Sequence, residues 1–263
     1  MKNKYSKKSY AKVNIFLKIA GKRDNNHLLV SRFCRVKSQY DTIEFIKGEF
    51  KEFTLEGDFG CDLESNTIYK AYILLCGISI KVKEFFYNYK VVVDKNIPEF
   101  AGLGGGSSNC ATFMIMVNDV CNLNLNKDRL SELGASIGAD VPFFIYEYDS
   151  ANVTGVGEVV EKFDEDLVDI STITPNIKCD TGKIFKNFRE KFYKEIIKEE
   201  ASKLISMKSK DILNYLDIEE ANDLYKSACD LYPDLKRDNL NLDNSYYFSG
   251  SGSSFFKINS IEV

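Results

Sequence analysis

Pro98-Glu99-Phe100-Ala101-Gly102-Leu103-Gly104-Gly105-Gly106-Ser107-Ser108-Asn109-Cys110-Ala111 is the stretch whose residue types most directly suggest chemistry. Four of the sixteen glycines fall within the five positions 102–106, and two hydroxyls follow at once. Backbone stripped of side chains reaches conformations closed to other residues and lets a ligand approach the main chain. Its N–H groups can then converge on an anion at the positive end of the next helix, with serine hydroxyls as further donors or a magnesium contact. A glycine turn without a ligand is the plainer reading, but such a turn rarely needs three consecutive glycines followed by two serines. No Gly-Lys-Ser or Gly-Lys-Thr closes the stretch, so it is not a Walker A loop, and it lacks the spacing of a dinucleotide fingerprint.

The flanking sequence supplies the elements such a loop needs. Tyr89 to Val93 reads as a strand entering it, and Asn109 to Asn122, apolar nearly all round, reads as a buried helix leaving it. Upstream, Ser9 to Ile19 alternates with period two, placing Val13, Ile15, Leu17 and Ile19 on one face and Lys12, Asn14, Phe16 and Lys18 on the other. Lys12 and Asn14 there are either solvated or turned into a cleft. Leu29–Val36 reads as the next strand, and Tyr40–Ile46 with Glu52–Glu56 as a sheet pair. Asn66 can cap the buried helix expected over Ile68–Ile78. A second helix, Lys127–Ile137, should stop at Gly138, and Asp140, two residues before Pro142, is by position an ordinary turn former. Residues from Glu190 to Tyr232 read as helical with solvated Lys/Glu faces. The small-residue run Ser249-Gly250-Ser251-Gly252-Ser253-Ser254 sits between apolar strands, where a flexible linker would not.

Composition narrows the class. At 263 residues with 44% hydrophobic and 13% aromatic content, the chain can build two joined subdomains with a substantial interior. A formal charge of −4 argues against a general nucleic-acid binder, so an anionic ligand must be held by local geometry. The seven cysteines are scattered without a CxxC pair, which indicates neither a disulfide framework nor a zinc site and suits a reducing cytoplasm. Lys12 and Lys18 interrupt the apolar stretch after the basic start, no small-residue cleavage site follows, and no run approaches a membrane span. With His27 the one histidine, acid–base work falls more naturally to a carboxylate or a lysine.

The run Pro-x-x-x-Gly-Leu-Gly-Gly-Gly-Ser-Ser-Asn-x-Ala resembles the phosphate loop of the GHMP kinases, which phosphorylate small alcohols with ATP. Three further segments resemble the family in the same order: Ala11-Lys12-Val13-Asn14, Gly138-Ala139-Asp140-Val141-Pro142-Phe143, and the Ser249–Ser254 loop. The resemblance implies an α+β fold of two subdomains, with an N-terminal ATP-binding part over 1–157 like ribosomal protein S5 domain 2. The C-terminal part over 158–263 would be ferredoxin-like, and its closing helix and strand are expected to be missing. It implies Asp140 as the base that takes the acceptor hydroxyl's proton, with Lys12 beside it. ATP would contact Asn66, Pro98 and Ala101 to Ser108 (Ala101, Gly102, Leu103, Gly104, Gly105, Gly106, Ser107, Ser108), with Mg2+ bridging its phosphates and Ser108 a tentative metal ligand. The branch most resembled phosphorylates cytidine diphosphate methylerythritol in non-mevalonate isoprenoid biosynthesis. Its substrate would be met by Asn14, His27, Asp140, Phe185, Gly250 and Ser251.

The resemblance departs in one place. Where that branch carries Arg-x-Asp-Gly-Tyr-His, this chain has Arg23 and His27 but Asn25 and Asn26 in place of Gly-Tyr, so the tyrosine that would stack on cytosine is absent. A GHMP kinase with another acceptor, or a non-catalytic nucleotide-binding member, are the alternatives. A cytoplasmic protein acting on a small molecule, with no nucleic-acid or membrane partner, is expected, as a monomer or weak homodimer.

Overall fold

The computed structural model describes residues 4–23, 26–166 and 168–259. Two compact units form from interleaved segments: the first from the chain up to Ala11, Gln39–Ile97 and Gly105–Glu147, the second from Lys12–Ser38, Pro98–Gly104 and the chain from Tyr148 on. Two long paired strands, β1 (Lys4–Arg23) and β2 (Asn26–Lys47), contribute to both.

In the first unit, β3 (Leu55–Glu56) runs parallel to β4 (Tyr89–Asp94), and β4 pairs antiparallel with Thr42–Lys47 of β2. Four helices complete it: α1 (Thr67–Cys76), α2 (Ile80–Phe86), α3 (Gly105–Val120) and α4 (Lys127–Ala135), followed by the short α5 (Val141–Tyr146). Alternate residues of β4 are buried, and the core is largely aromatic: Phe53 stacks on Tyr72 at 4.0 Å, and Phe86 meets Phe45, Phe53 and Phe113 within 5.6 Å. Edge and offset contacts of this kind add about 0.5–1.5 kcal/mol each to simple burial.

In the second unit, β5 (Ser150–Gly155) lies between Leu29–Cys34 of β2 and β6 (Val159–Lys162), all antiparallel. A second sheet has the order β7 (Ile170–Ile173), β9 (Phe255–Ile258), β8 (Tyr247–Phe248). Around them pack α6 (Thr181–Asn187), which runs into a π-turn at Phe188–Phe192, then α7 (Lys198–Ser206), α8 (Ser209–Tyr215), α9 (Ile218–Ala221) and α10 (Tyr225–Leu231). Arg32 is wholly buried, with Nε on Asn152 Oδ1 (2.8 Å), Nη2 on the Ile205 carbonyl (2.8 Å) and its guanidinium over the Phe163 ring.

Several expectations shift. The Glu52–Glu56 segment does not pair with Tyr40–Ile46; β4 lies between them, because Gly48 and Phe50 bond the Asn88 and Tyr87 carbonyls and buried Phe53 draws the chain across. Helix α3 begins at Gly105, four residues earlier than its apolar pattern indicates, so two of the clustered glycines are helical. The Glu190–Tyr232 stretch divides into short helices, α9 opening with a capping box in which Asp217 accepts from the Glu220 N–H and Glu220 returns the bond. Asn25 lies outside the described residues. Among the described residues no helix is long and apolar enough to cross a membrane, no group of acidic, histidine or cysteine side chains could hold a metal, and the cysteines are free.

Candidate active site

The glycine stretch divides between the two units at Gly104–Gly105. On the second unit's side, Gly102 and Gly104 hold φ of +73° and +70°, which L side chains rarely adopt. Gly102 is also in close contact with the small-residue loop. A Cβ there would lie 2.1 Å from the Ser249 carbonyl oxygen, and Ser249 Oγ donates to the Gly102 carbonyl (3.0 Å). The neighbouring Ala101 carbonyl accepts from Ser254 N (3.0 Å), and Phe100's from Cys179 N (3.3 Å). Ser249 to Ser254 is buried throughout. Asn222, at 1% exposure, ties its turn by donating to the Phe248 and Gly250 carbonyls. The run is therefore a fixed wall on which the first half of the glycine loop rests.

Lys12 and Asn14 stand in the same unit. The Lys12 N–H donates to the Leu103 carbonyl (3.0 Å), joining β1 to the loop, and Lys12 Nζ donates to Asn14 Oδ1 (2.6 Å) while lying 4.5 Å from the Phe33 ring centroid. Both side chains are buried, at 3% and 1% exposure, so neither sits on a solvated sheet face. A Cβ on Gly250 would lie 3.4 Å from Asn14 Oδ1 and 3.1 Å from the Gly102 carbonyl oxygen. Lys12, Asn14, Gly102 and Gly250 thus form one cluster, and Ser251 continues from it through a 2.7 Å hydroxyl contact with Thr181.

His27 and Phe185 also meet in the second unit, stacked at 5.2 Å with 27° between planes. Phe188 and Tyr193 approach the imidazole at 6.0 and 6.2 Å, and Lys22 caps the Tyr193 ring at 4.0 Å. Burial, then the charges of Arg189 and Lys22, hold the His27 pKa below its ordinary value, so the ring is neutral at pH 7. Its buried Nε2 has no hydrogen-bond partner.

The first unit holds the rest. Gly105 to Ser108 make the first turn of α3, whose leading N–H groups have no partner within the helix. Gly106 is exposed, Ser107 half-buried and Ser108 buried, with Ser108 Oγ 2.7 Å from Ser9 Oγ. Beneath the turn lies a network that composition does not announce. Asp41, wholly buried, accepts from Asn96 N (2.6 Å) and Ile97 N (2.8 Å) with one oxygen, and from Lys95 Nζ (2.5 Å) and Asn109 Nδ2 (2.8 Å) with the other. Asn109 reaches on to Ser9. One carboxylate therefore pins the chain entering the loop to the helix leaving it. Asn66 caps α1 through Ile68 N (2.9 Å), and Thr67 Oγ1 donates to the Gly106 carbonyl (2.8 Å), holding α1's start against the first turn of α3.

Asp140 precedes α5 and is half-buried; its side chain makes no capping bond to that helix. A Cβ on Gly138 would lie 3.5 Å from Ser107 Oγ, so the chain two residues before Asp140 passes close to the first turn of α3. Within this unit the start of α3 and the loop that carries Asp140 belong to one packed region. That arrangement suits transfer of a phosphoryl group to an alcohol whose proton the carboxylate accepts.

Comparison with known proteins gives concordant findings. The pattern described as GHMP kinases N terminal domain matches residues 66–148. A Sulfurimonas denitrificans protein named 4-diphosphocytidyl-2-C-methyl-D-erythritol kinase is 49% identical over 257 residues, covering 95% of this chain and 96% of its own. A protein of the same name from Sulfurovum sp. is 45% identical, covering 97% and 99%. Among solved structures, one titled 4-(cytidine 5'-diphospho)-2C-methyl-D-erythritol kinase aligns with a TM-score of 0.76 at 25% identity, over 97% of this chain and 90% of that one.

Proposed function

The chain belongs to the 4-diphosphocytidyl-2-C-methyl-D-erythritol kinases of the GHMP superfamily, and from that premise we propose that it transfers the γ-phosphoryl group of ATP to the 2-hydroxyl of 4-diphosphocytidyl-2-C-methyl-D-erythritol. This step serves non-mevalonate isoprenoid precursor synthesis. The observation that carries the reading is that the loop bearing Asp140 comes to the start of α3, where a Cβ on Gly138 would lie 3.5 Å from Ser107 Oγ. The N-terminal ATP-binding part would comprise 1–157 and the C-terminal part 158–263.

Phosphoryl transfer through a loose transition state asks chiefly for alignment and charge neutralisation. The bared amides of Gly102 to Ser108 hold the phosphates, with Pro98 and Ala101 shaping the approach and Asn66 bordering the base. Asp140 accepts the hydroxyl proton, late in the transfer. Lys12 offsets charge on the moving group. Asn14, Gly250 and Ser251 contact the acceptor, while His27 and Phe185 take the cytosine.

Magnesium, were it bound with the nucleotide, would supply charge neutralisation for the phosphates. Of the protein groups, Ser108 Oγ would hold it: by donating its proton to Ser9 Oγ, 2.7 Å away, it keeps lone pairs for a cation, so the oxygen chemistry fits.

The cytidine reading is tested by competition. CDP should raise the apparent KM for the acceptor and leave kcat unchanged, and UDP should do so far less, because the His27 cage reads the base. Insensitivity to CDP would assign the site to another alcohol.

A further inference from the structure

Lys12 has no choice of partner atom on Asn14: an ammonium only donates, so the atom 2.6 Å away must be the amide oxygen. Which end of a buried amide faces Lys12 is decided elsewhere, by Ser31 on β2. The Ser31 hydroxyl owns one proton and donates it to the Phe16 carbonyl. Its oxygen, 3.0 Å from the other end of the Asn14 amide, is thereby left as an acceptor, and only the Nδ2 hydrogens can satisfy it. Ser31 is wholly buried and Asn14 is 1% exposed, so water does not substitute. Three hydrogen bonds thus run in one direction, from Lys12 to Asn14 to Ser31 to the β1 backbone. Reversing the amide would set hydrogen against hydrogen at Lys12.

We infer that Ser31 is a positioning residue for phosphoryl transfer, which fixes the amide orientation of Asn14 and through it the ammonium of Lys12. It touches neither nucleotide nor acceptor. The same cluster borders Gly250, where an added Cβ would lie 3.4 Å from Asn14 Oδ1. The inference rests on the role proposed for Lys12 and extends it to a residue two shells from the reacting atoms.

A double-mutant cycle tests it, with kcat measured under single turnover at saturating ATP and acceptor, and folding of each variant checked by circular dichroism. Ser31→Ala should lower kcat about tenfold with the KM for ATP little changed, the size expected when a charged group loses its alignment. Ser31→Thr, which keeps the hydroxyl, should recover most of that loss. In a Lys12→Met background, Ser31→Ala should alter kcat by less than about twofold, because the lysine through which it acts is gone. If the two losses multiply, Ser31 acts on the fold at large and the inference is wrong. If Lys12→Met alone keeps full kcat, it is the role of Lys12 that fails, a distinct result. Should Ser31→Ala not fold, Ser31→Cys enters the same cycle, since a thiol both donates and accepts weakly at that place; it should lose kcat in the Lys12 protein and not in the Lys12→Met protein.

Discussion

Asp140→Asn should turn over about 10³-fold more slowly or worse, while nucleotide affinity stays within a few-fold. General-base contributions span roughly 10² to 10⁴, and a 10³ loss corresponds to about 4 kcal/mol of transition-state stabilisation. The substitution keeps size and polarity but removes the proton acceptor. It leaves α5 intact, because that helix draws no capping bond from the residue and begins with Pro142 in its first turn. The first turn of α3 also survives, being secured from below by Asp41 and from the side by Thr67. Measuring kcat by coupled ADP release and Kd by nucleotide titration separates the two effects. A variant that retained wild-type kcat would remove Asp140 as the base.

Gly102→Ala should cost far more in stability than any other single methyl added to the glycine stretch. Its backbone is at φ +73°, and the new carbon would lie 2.1 Å from the Ser249 carbonyl oxygen, a backbone atom that cannot turn aside. Conformational incompatibility and overlap together are of order 3 kcal/mol, which lowers Tm by about 6–12 °C for a chain of this size. Gly106→Ala is the control. It has no positive φ, its nearest neighbour would be Thr67 Oγ1 at 3.8 Å, and it occupies a helix turn. Its Tm should be unchanged or slightly higher, yet a methyl on the exposed helix start should raise the KM for ATP. Equal Tm values for the two variants, by thermal denaturation, would contradict the picture of Gly102 as a residue seated on the Ser249–Ser254 wall.

How much of this was legible in the sequence depended on whether a signal was local. The glycine cluster, the capping role of Asn66 and the strand alternation around Lys12 are short-range patterns, and each corresponds to an element in place. The same alternation left Lys12 and Asn14 open between solvent and cleft, since period two assigns faces without saying which face is covered. The start of α3 was misplaced because glycine has low helix propensity, whereas packing beside Ile97 and the cap-like support from Thr67 and Asp41 override it. The pairing of β3 was misplaced for a related reason: sequence adjacency suggests a hairpin, and an aromatic core built from Phe53, Tyr72 and Phe86 prevails.

Asp41 and Ser31 carried no recognisable signal at all. A carboxylate at the start of a strand reads as a turn residue, and a serine in an apolar strand reads as filler. Their importance comes from partners 54 to 68 positions away in one case and from the proton count of one hydroxyl in the other. Asn25 and Asn26 lack the ring that the family resemblance leads one to expect beside His27. Tyr193, contributed from a distant turn, stands in the aromatic group around His27 instead.

The most direct test is to mix the purified protein with ATP, magnesium and 4-diphosphocytidyl-2-C-methyl-D-erythritol, and to follow ADP together with the mass of the acceptor. One ADP should appear for each acceptor molecule that gains a phosphoryl group, with little ADP formed when the acceptor is left out. ADP release that ignores the acceptor, or an unchanged acceptor at the end of the incubation, would contradict the account.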